Sequence, residues 1–562
     1  MARRALTLVA AGLLLAAAPA AAHAATDPAG RLVVLAARGG PGHGHTAGAA
    51  GVAQAAARAG ASAAGPAVPQ IGLVTVRPRP GETVAAAALR LRAQPGVAAV
   101  EPVRRMQLRE LPNDPGLNEP DPSAGSPGSP LPAGTPLQWP LLREGFPAAW
   151  DITRGQHALV GVIDTGIDAT HPDLSGKIDA LVDQQLPGLS TGPAGTDSDG
   201  HGTHVASLAC AQTTNALGIA GAGHDCRLVV EKSDLTDASI AASIVDATDR
   251  GAQAINMSFG DDGARPASEA IRRAIRYASH RNVVLVAAAA DEAVREQGDP
   301  ANLLQPTGTG ADLDSDIGLS VTAATYGDAR ASFAGMGSQI SLAAYGAVGG
   351  PSGTAPRGLL GAFPAAPTSF ELASKPCGCR ATLDGDGRYG YLAGTSMAAP
   401  QVTAVAALVR SLNPDLSAQG VVRLLKRTAR RAPGAGWSPD LGWGILDAAH
   451  ALQVARTLDR HAPYSRVTAT RGTPRGQLVL RVDEGDPAPP GVAASGVRSV
   501  EIDVTRISDG RLRRVILRAG QLDTTIAGKP GERYAISSRA TDRAGNRERP
   551  PARADAVIRS LR

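Results

Sequence analysis

Several polar side chains stand where apolar strands or helices end, and their types suit nucleophilic chemistry. Asp164 closes the apolar strand in GVIDTGID, and His201 sits between two glycines as a helix begins in DSDGHGTHVASLA. Ser396 occupies the first turn of a long apolar helix in YLAGTSMAAPQVTAVAALV. A serine hydroxyl is a weak nucleophile until a base takes its proton, and that base needs an acid to hold its tautomer. Ser396 has a further advantage, because its own N–H at a helix N-terminus can donate to an oxyanion. Spacing alone leaves His204 open as the base and a turn-capping role open for Asp164. A fourth stretch, RNVVLVAAAADEA, runs a hydrophobic strand straight into Asp291 and Glu292.

Bringing these residues together requires strand ends lying side by side. From Leu137 to Leu458, strands such as ALVGVID, RLVVEK, AINMSFG, NVVLVAAAA and SVTAAT alternate with helical stretches such as SIAASIVDATDRG and EAIRRAIRYASH. That pattern predicts an α/β fold, a parallel sheet with helices on both faces, whose ligands bind at the carboxyl ends of the strands. Residues 25–111 alternate strand and helix and predict a small α/β pro-region. Residues 112–136, PNDPGLNEPDPSAGSPGSPLPAGTP, predict an exposed, cleavable linker. Residues 462–562 carry alternating strands separated by Gly, Pro and Asp, the signal of an Ig-like β-sandwich.

Composition narrows the class. The 562 residues have a formal net charge of +5, too mild to argue for a nucleic-acid partner. Residues 1–24, within MARRALTLVAAGLLLAAAPAAAHAA, form a signal peptide with two early arginines and a small-x-small cleavage site, which predicts secretion. No later stretch approaches the ~18 apolar residues of a spanning helix. Cys210, Cys226, Cys377 and Cys379 suit an oxidising compartment, and their spacing does not match common zinc sites. Three pairings are open; a Cys377–Cys379 bridge would be tight, which favours Cys210–Cys226. The 462–562 tail holds nineteen Lys and Arg against eleven Asp and Glu. A solvated basic surface is the plain reading, and polyanion or cell-wall binding the alternative.

HGTHVA around His201, GTSMAAP around Ser396 and the order Asp, His, Ser resemble the subtilisin-like serine proteases. The resemblance spans residues 137–455, closes with LGWGILDAAHAL, and extends less specifically to the pro-region. It implies a secreted, monomeric serine endopeptidase acting on peptides or proteins, with its pro-region as an intramolecular inhibitor and no catalytic cofactor. Asp164 would orient, His201 act as base and Ser396 attack, while His171 in HPDL would be structural. Extended substrates would pair with Ser258, Phe259 and Gly260. A structural Ca²⁺ would take Gln138, Asp173, Asn215 and the carbonyls of Leu217 and Ile219. Residues 347–392 exceed the family's usual length; a lid over the active site and a surface loop stapled by a disulfide are both open, and the loop is favoured.

One departure is chemical. Where the family's strand ends in Gly-Asn, with the asparagine amide donating to the oxyanion, this chain has Ala290 and Asp291. The Ala290 methyl narrows the P1 pocket, and Glu292 nearby favours a basic P1 side chain instead; the sequence does not choose. Losing the amide donor costs about 2.7–4 kcal/mol in a subtilisin. An ionised carboxylate ~3 Å from the oxyanion would add repulsion of about 5 kcal/mol at a dielectric of ~20. A protonated Asp291 would restore a donor, and one branch of the kexin-like convertases is similar in having Asp here; the alternative is that Asp291 swings away and the Ser396 N–H carries the oxyanion alone. The alternative function is a catalytically impaired pseudoprotease serving as a surface- or glycan-binding scaffold.

Overall fold

The computed structural model describes residues 30–37, 45–103, 111–261, 268–313, 317–349, 358–459, 461–473, 476–487 and 494–561. The expected signal peptide lies outside the described residues. Two compact units are divided between Glu110 and Leu111.

In the first unit, strands Ser62–Val68, Leu73–Arg77, Leu32–Ala36 and Val97–Pro102 form an antiparallel sheet in that order. Helices His45–Arg58 and Val84–Arg92 bury Val52, Ala56, Ala87 and Leu91 with Val34, Val74 and Val100. Ser62–Val68 was not expected as a strand, because Gly65 and Pro66 dilute its pattern. It pairs on one side only, so its proline interrupts no central ladder.

In the second unit, the parallel strands are Leu159–Asp164 (β1), Ile178–Asp183 (β2), Arg227–Lys232 (β3), Ala254–Met257 (β4), Val284–Ala288 (β5), Leu319–Ala324 (β6) and Leu342–Tyr345 (β7). They form one sheet in the order β7-β6-β5-β4-β1-β3-β2. The principal helices are His201–Cys210 (α1), Asp237–Asp249 (α2), Glu269–His280 (α3), Thr395–Leu412 (α4) and Ala418–Thr428 (α5). Alternate strand residues face opposite layers. Val284 and Val286 pack with α1, α4 and α5, whereas Leu285 and Ala287 pack with α2 and α3. Both faces are therefore dry, which is why the strands read as continuous apolar runs. Asp164 ends β1, Ser258 follows β4 and Ala289–Asp291 follow β5, all at one edge of the sheet.

Two expectations fail here. Residues 112–136 are exposed at about half their positions but anchored rather than free: Leu117 and Leu131 are each 1% exposed, within two apolar clusters. Asp114, fully buried, accepts the Thr214 N–H at 2.9 Å. Pro, Gly and Ser cannot build a core, but two leucines and a buried carboxylate suffice to fasten a loop to an existing one. Residues 358–392 are not a loose surface loop either. Leu359–Ala362, Asp386–Leu392 and Arg380–Leu383 form an antiparallel sheet. It docks on α1, where the Ser207 hydroxyl accepts the Ala362 N–H at 2.9 Å. Cys377 pairs with Cys379 within this insert, and Cys210 pairs with Cys226.

The C-terminal strands form two antiparallel sheets sharing one core that includes Val467, Leu480, Val500, Ile502, Ile536 and Ile558. This sandwich is strapped to the turn between α4 and α5. Ser417 N–H donates to the Gly545 carbonyl at 2.7 Å, and Arg547 N–H to the Asp415 carbonyl at 2.8 Å.

Candidate active site

Asp164 and His201 converge. Asp164 is 2% exposed at the end of β1, and its Oδ1 lies 2.7 Å from His201 Nδ1. The same Oδ1 accepts the Thr165 N–H at 2.8 Å, while Oδ2 is buried without a donor. His201 opens α1 directly after Gly200, whose φ of +94° suits glycine alone. Buried Asp197 holds this entry, accepting from Gly200 N–H and from both the N–H and hydroxyl of Thr203. Burial opposes charging of His201, but the Asp164 charge and hydrogen bond, helped by Asp199 and Asp197, outweigh it. The imidazole pKa is raised to about 9.

His204 and His171 are excluded as bases by their surroundings. His204 is fully buried, and its Nε2 faces the carbonyls of Leu359 and Gly390 at 3.0 and 3.2 Å. Burial pushes it down to about 3, so it stays neutral. His171, also fully buried, bridges the Arg388 carbonyl and the Asp173 N–H, as a structural residue should.

Ser396 is seated by a network the sequence reading missed. Pro400, four residues on in α4, has no N–H to give the Ser396 carbonyl. The Ser258 hydroxyl donates to that carbonyl instead, at 2.9 Å. Ser258 in turn accepts from Asn256 Nδ2 at 2.9 Å, and Asn256 Oδ1 accepts from the Thr403 hydroxyl at 3.1 Å. The Ser396 hydroxyl donates to the Ser258 carbonyl at 3.0 Å. The signal was present as a proline four residues beyond a serine in a helix. Phe259 follows Ser258 with its ring against the α2–α3 layer, and Gly260 is exposed.

Asp291 lies against the start of α4. Its Oδ1 accepts the Thr395 N–H at 2.7 Å and shares the Thr395 hydroxyl, 2.9 Å away, with the Ala289 carbonyl. Gly394 leaves room for the carboxyl, since a Cβ there would stand 2.8 Å from Asp291 Oδ2. Asp291 is exposed as a residue, but crowding of its carboxyl against the start of α4 raises its pKa, while the two Thr395 bonds and nearby His201 pull the other way. Ala290 is half-buried, and both its backbone groups are bonded, to Gln297 and Gly335.

The five expected calcium ligands do come together, but as a hydrogen-bonded cluster. Asp173 accepts from Asn215 Nδ2 (3.1 Å), the Ile219 N–H (2.9 Å) and the Tyr389 hydroxyl (3.0 Å). Asn215 Oδ1 accepts the Leu217 N–H, and Gln138 is spent on both backbone groups of Ala220. A cation needs oxygens without hydrogens aimed at them. These side chains do not fit Ca²⁺. The reason is Tyr389, supplied by the insert, which puts a neutral donor against a buried acid pushed up to about 6 by desolvation.

Comparison with known proteins identifies the family of the chain. Residues 155–444 match the profile of the Subtilase family. The chain is 32% identical over 272 residues to a thermophilic serine proteinase of Bacillus sp. (strain AK1), covering 47% of this chain and 55% of that one. Fervidolysin of Fervidobacterium pennivorans is 30% identical, over 54% of this chain and 42% of its own. Thermitase of Thermoactinomyces vulgaris is 28% identical, over 55% and 92%. The chain thus spans about half the length of the first two relatives. Just over half of the 562 residues carry the family match, and the protein belongs to the subtilase family.

Proposed function

We propose that the protein is a secreted serine endopeptidase, made with an inhibitory pro-region, that cleaves peptide bonds through an acyl-enzyme on Ser396. The observation carrying this reading is the 2.7 Å Asp164–His201 bond at the start of α1, which packs against α4, the helix whose first turn holds Ser396. His201 takes the serine proton, Asp164 stabilises the imidazolium, and the Ser396 N–H donates to the oxyanion. The extended substrate pairs with the backbone at Ser258–Gly260. Secretion is supported by the leader composition and the two disulfides.

Asp291 sets the rate. In its acid form Oδ1 keeps the Thr395 bonds and a proton on Oδ2 supplies the second oxyanion donor; as a carboxylate it repels the oxyanion. Neutral His201 is favoured above about pH 9, while protonated Asp291 is favoured at low pH. The two active forms overlap poorly, and the enzyme is slow. The test is self-processing of the full precursor. Cleavage N-terminal to the anchored 112–136 segment should occur and vanish in Ser396→Ala; a precursor that stays intact while folded would overturn the reading.

A further inference from the structure

Between the helical layer and the sandwich lies a cavity of about 280 Å³. One wall comes from the end of α3 and the α4–α5 turn, with His280, Arg281, Arg410 and Asp415; the other brings Arg539, Arg547, Glu548 and Arg549 from the sandwich. Five arginines thus face two carboxylates, and those carboxylates are poorly placed to neutralise them. Glu548 Oε2 is taken by the Ser465 hydroxyl and the Ala540 N–H, and Asp415 lies 3.7 Å from Arg549. Arg547 pairs with Glu501 at 3.0 Å, and Arg281 lies 3.7 Å from Asp249.

Arg410 and Arg539 have no carboxylate partner among the described residues. Arg410 donates to the Leu416 carbonyl, yet its Nε is buried with no acceptor, and the Nε of Arg539 is likewise buried and unmatched. A buried guanidinium N–H left without an acceptor is costly. The surroundings register that cost. Burial drops Arg410 to about 10; burial, then Arg539 and Arg514, depress Arg547; burial and Arg514 depress His280.

We propose that this cavity binds a small doubly charged oxyanion, a phosphate or sulfate group, held by Arg281 and Arg410 on one wall and Arg539 and Arg547 on the other. Planar guanidinium groups match tetrahedral oxyanions through paired hydrogen bonds. At ~30 Å³ per water, the space takes such an ion with part of its hydration. The ligand bridges the two walls and fastens the sandwich to the turn already strapped by Ser417 and Arg547. This site gives the basic tail a specific role beyond a solvated surface.

The test uses the full chain with Ser396→Ala to prevent self-digestion. Inorganic phosphate, sulfate and diethyl phosphate are titrated calorimetrically against chloride at matched ionic strength, with unfolding midpoints followed in parallel. One-site saturable binding of phosphate or sulfate with a raised midpoint is expected. Arg539→Gln should weaken binding roughly tenfold or more, the loss of a charge-assisted bond, while being at least as stable as the parent in anion-free buffer. Arg281→Gln, on the opposite wall, should weaken binding similarly. Diethyl phosphate binding as well as phosphate would support the same chemistry with a phosphodiester polymer or headgroup as source; preference for the dianions would support a free ion. No saturable binding beyond chloride, or unchanged affinity in Arg539→Gln, would overturn the proposal.

Discussion

Asp291→Asn should activate the enzyme. The asparagine is isosteric: its Oδ1 keeps the Thr395 N–H at 2.7 Å and the shared hydroxyl at 2.9 Å, while an Nδ2 donor replaces Oδ2. One oxyanion donor contributes about 2.7–4 kcal/mol to the transition state, or roughly 10²–10³ in kcat. Removing a carboxylate ~3 Å from the oxyanion relieves a further ~5 kcal/mol at an effective dielectric of ~20. The two terms overlap, so a kcat gain of about 10²–10³ at pH 8 is the working figure. The pH limb should also move. Asp291 and His201 attract one another when both are charged. Deleting the negative charge lowers the His201 pKa, and base-limited activity then begins at lower pH. At acid pH, where Asp291 is protonated, the two proteins should converge. The assay is kcat on a mixed peptide library from pH 4 to 10. An asparagine variant no faster than wild type at any pH would refute the reasoning.

Other predictions follow from individual contacts. Ser258→Ala leaves the Ser396 carbonyl facing Pro400 without a donor and should cost about 1–3 kcal/mol in denaturant unfolding, with a fall in kcat. Asp173, held near pKa 6 when folded against ~3.9 unfolded, takes up protons on folding between those values. Stability should therefore fall by ~3 kcal/mol as pH rises from about 4 to 6, and Asp173→Asn should flatten that slope. Chelation by EDTA should leave the unfolding midpoint unchanged, whereas Tyr389→Phe, which strips a donor from Asp173, should lower it. A midpoint that drops with EDTA and recovers with calcium would contradict the hydrogen-bonded cluster.

Much of the candidate site's framework was legible because its signals are local. β1, β4 and β5 announce themselves as apolar runs ending in polar residues, and buried parallel strands must have that composition. Asp164 lies at such an end and His201 opens α1, and the chain brings them within 2.7 Å. What the sequence did not disclose depends on contacts between distant segments. Leu117 and Leu131 look incidental in a Pro-rich stretch until the core that receives them is in place. Tyr389 stands 216 residues from Asp173, and nothing near either residue tells that a hydroxyl will take the cation's place. The Ser258–Ser396 exchange was half visible, since Pro400 implies an orphaned carbonyl, but the donor comes from another strand end.

The central claim, that Asp164 and His201 activate Ser396, is tested most directly by a sulfonyl fluoride reagent with mass-spectrometric mapping. One label per molecule should appear on Ser396, at a rate rising with pH toward the His201 pKa of about 9, and should be lost in His201→Ala. An unlabelled Ser396 in folded protein, or labelling unaffected by His201→Ala, would contradict the account.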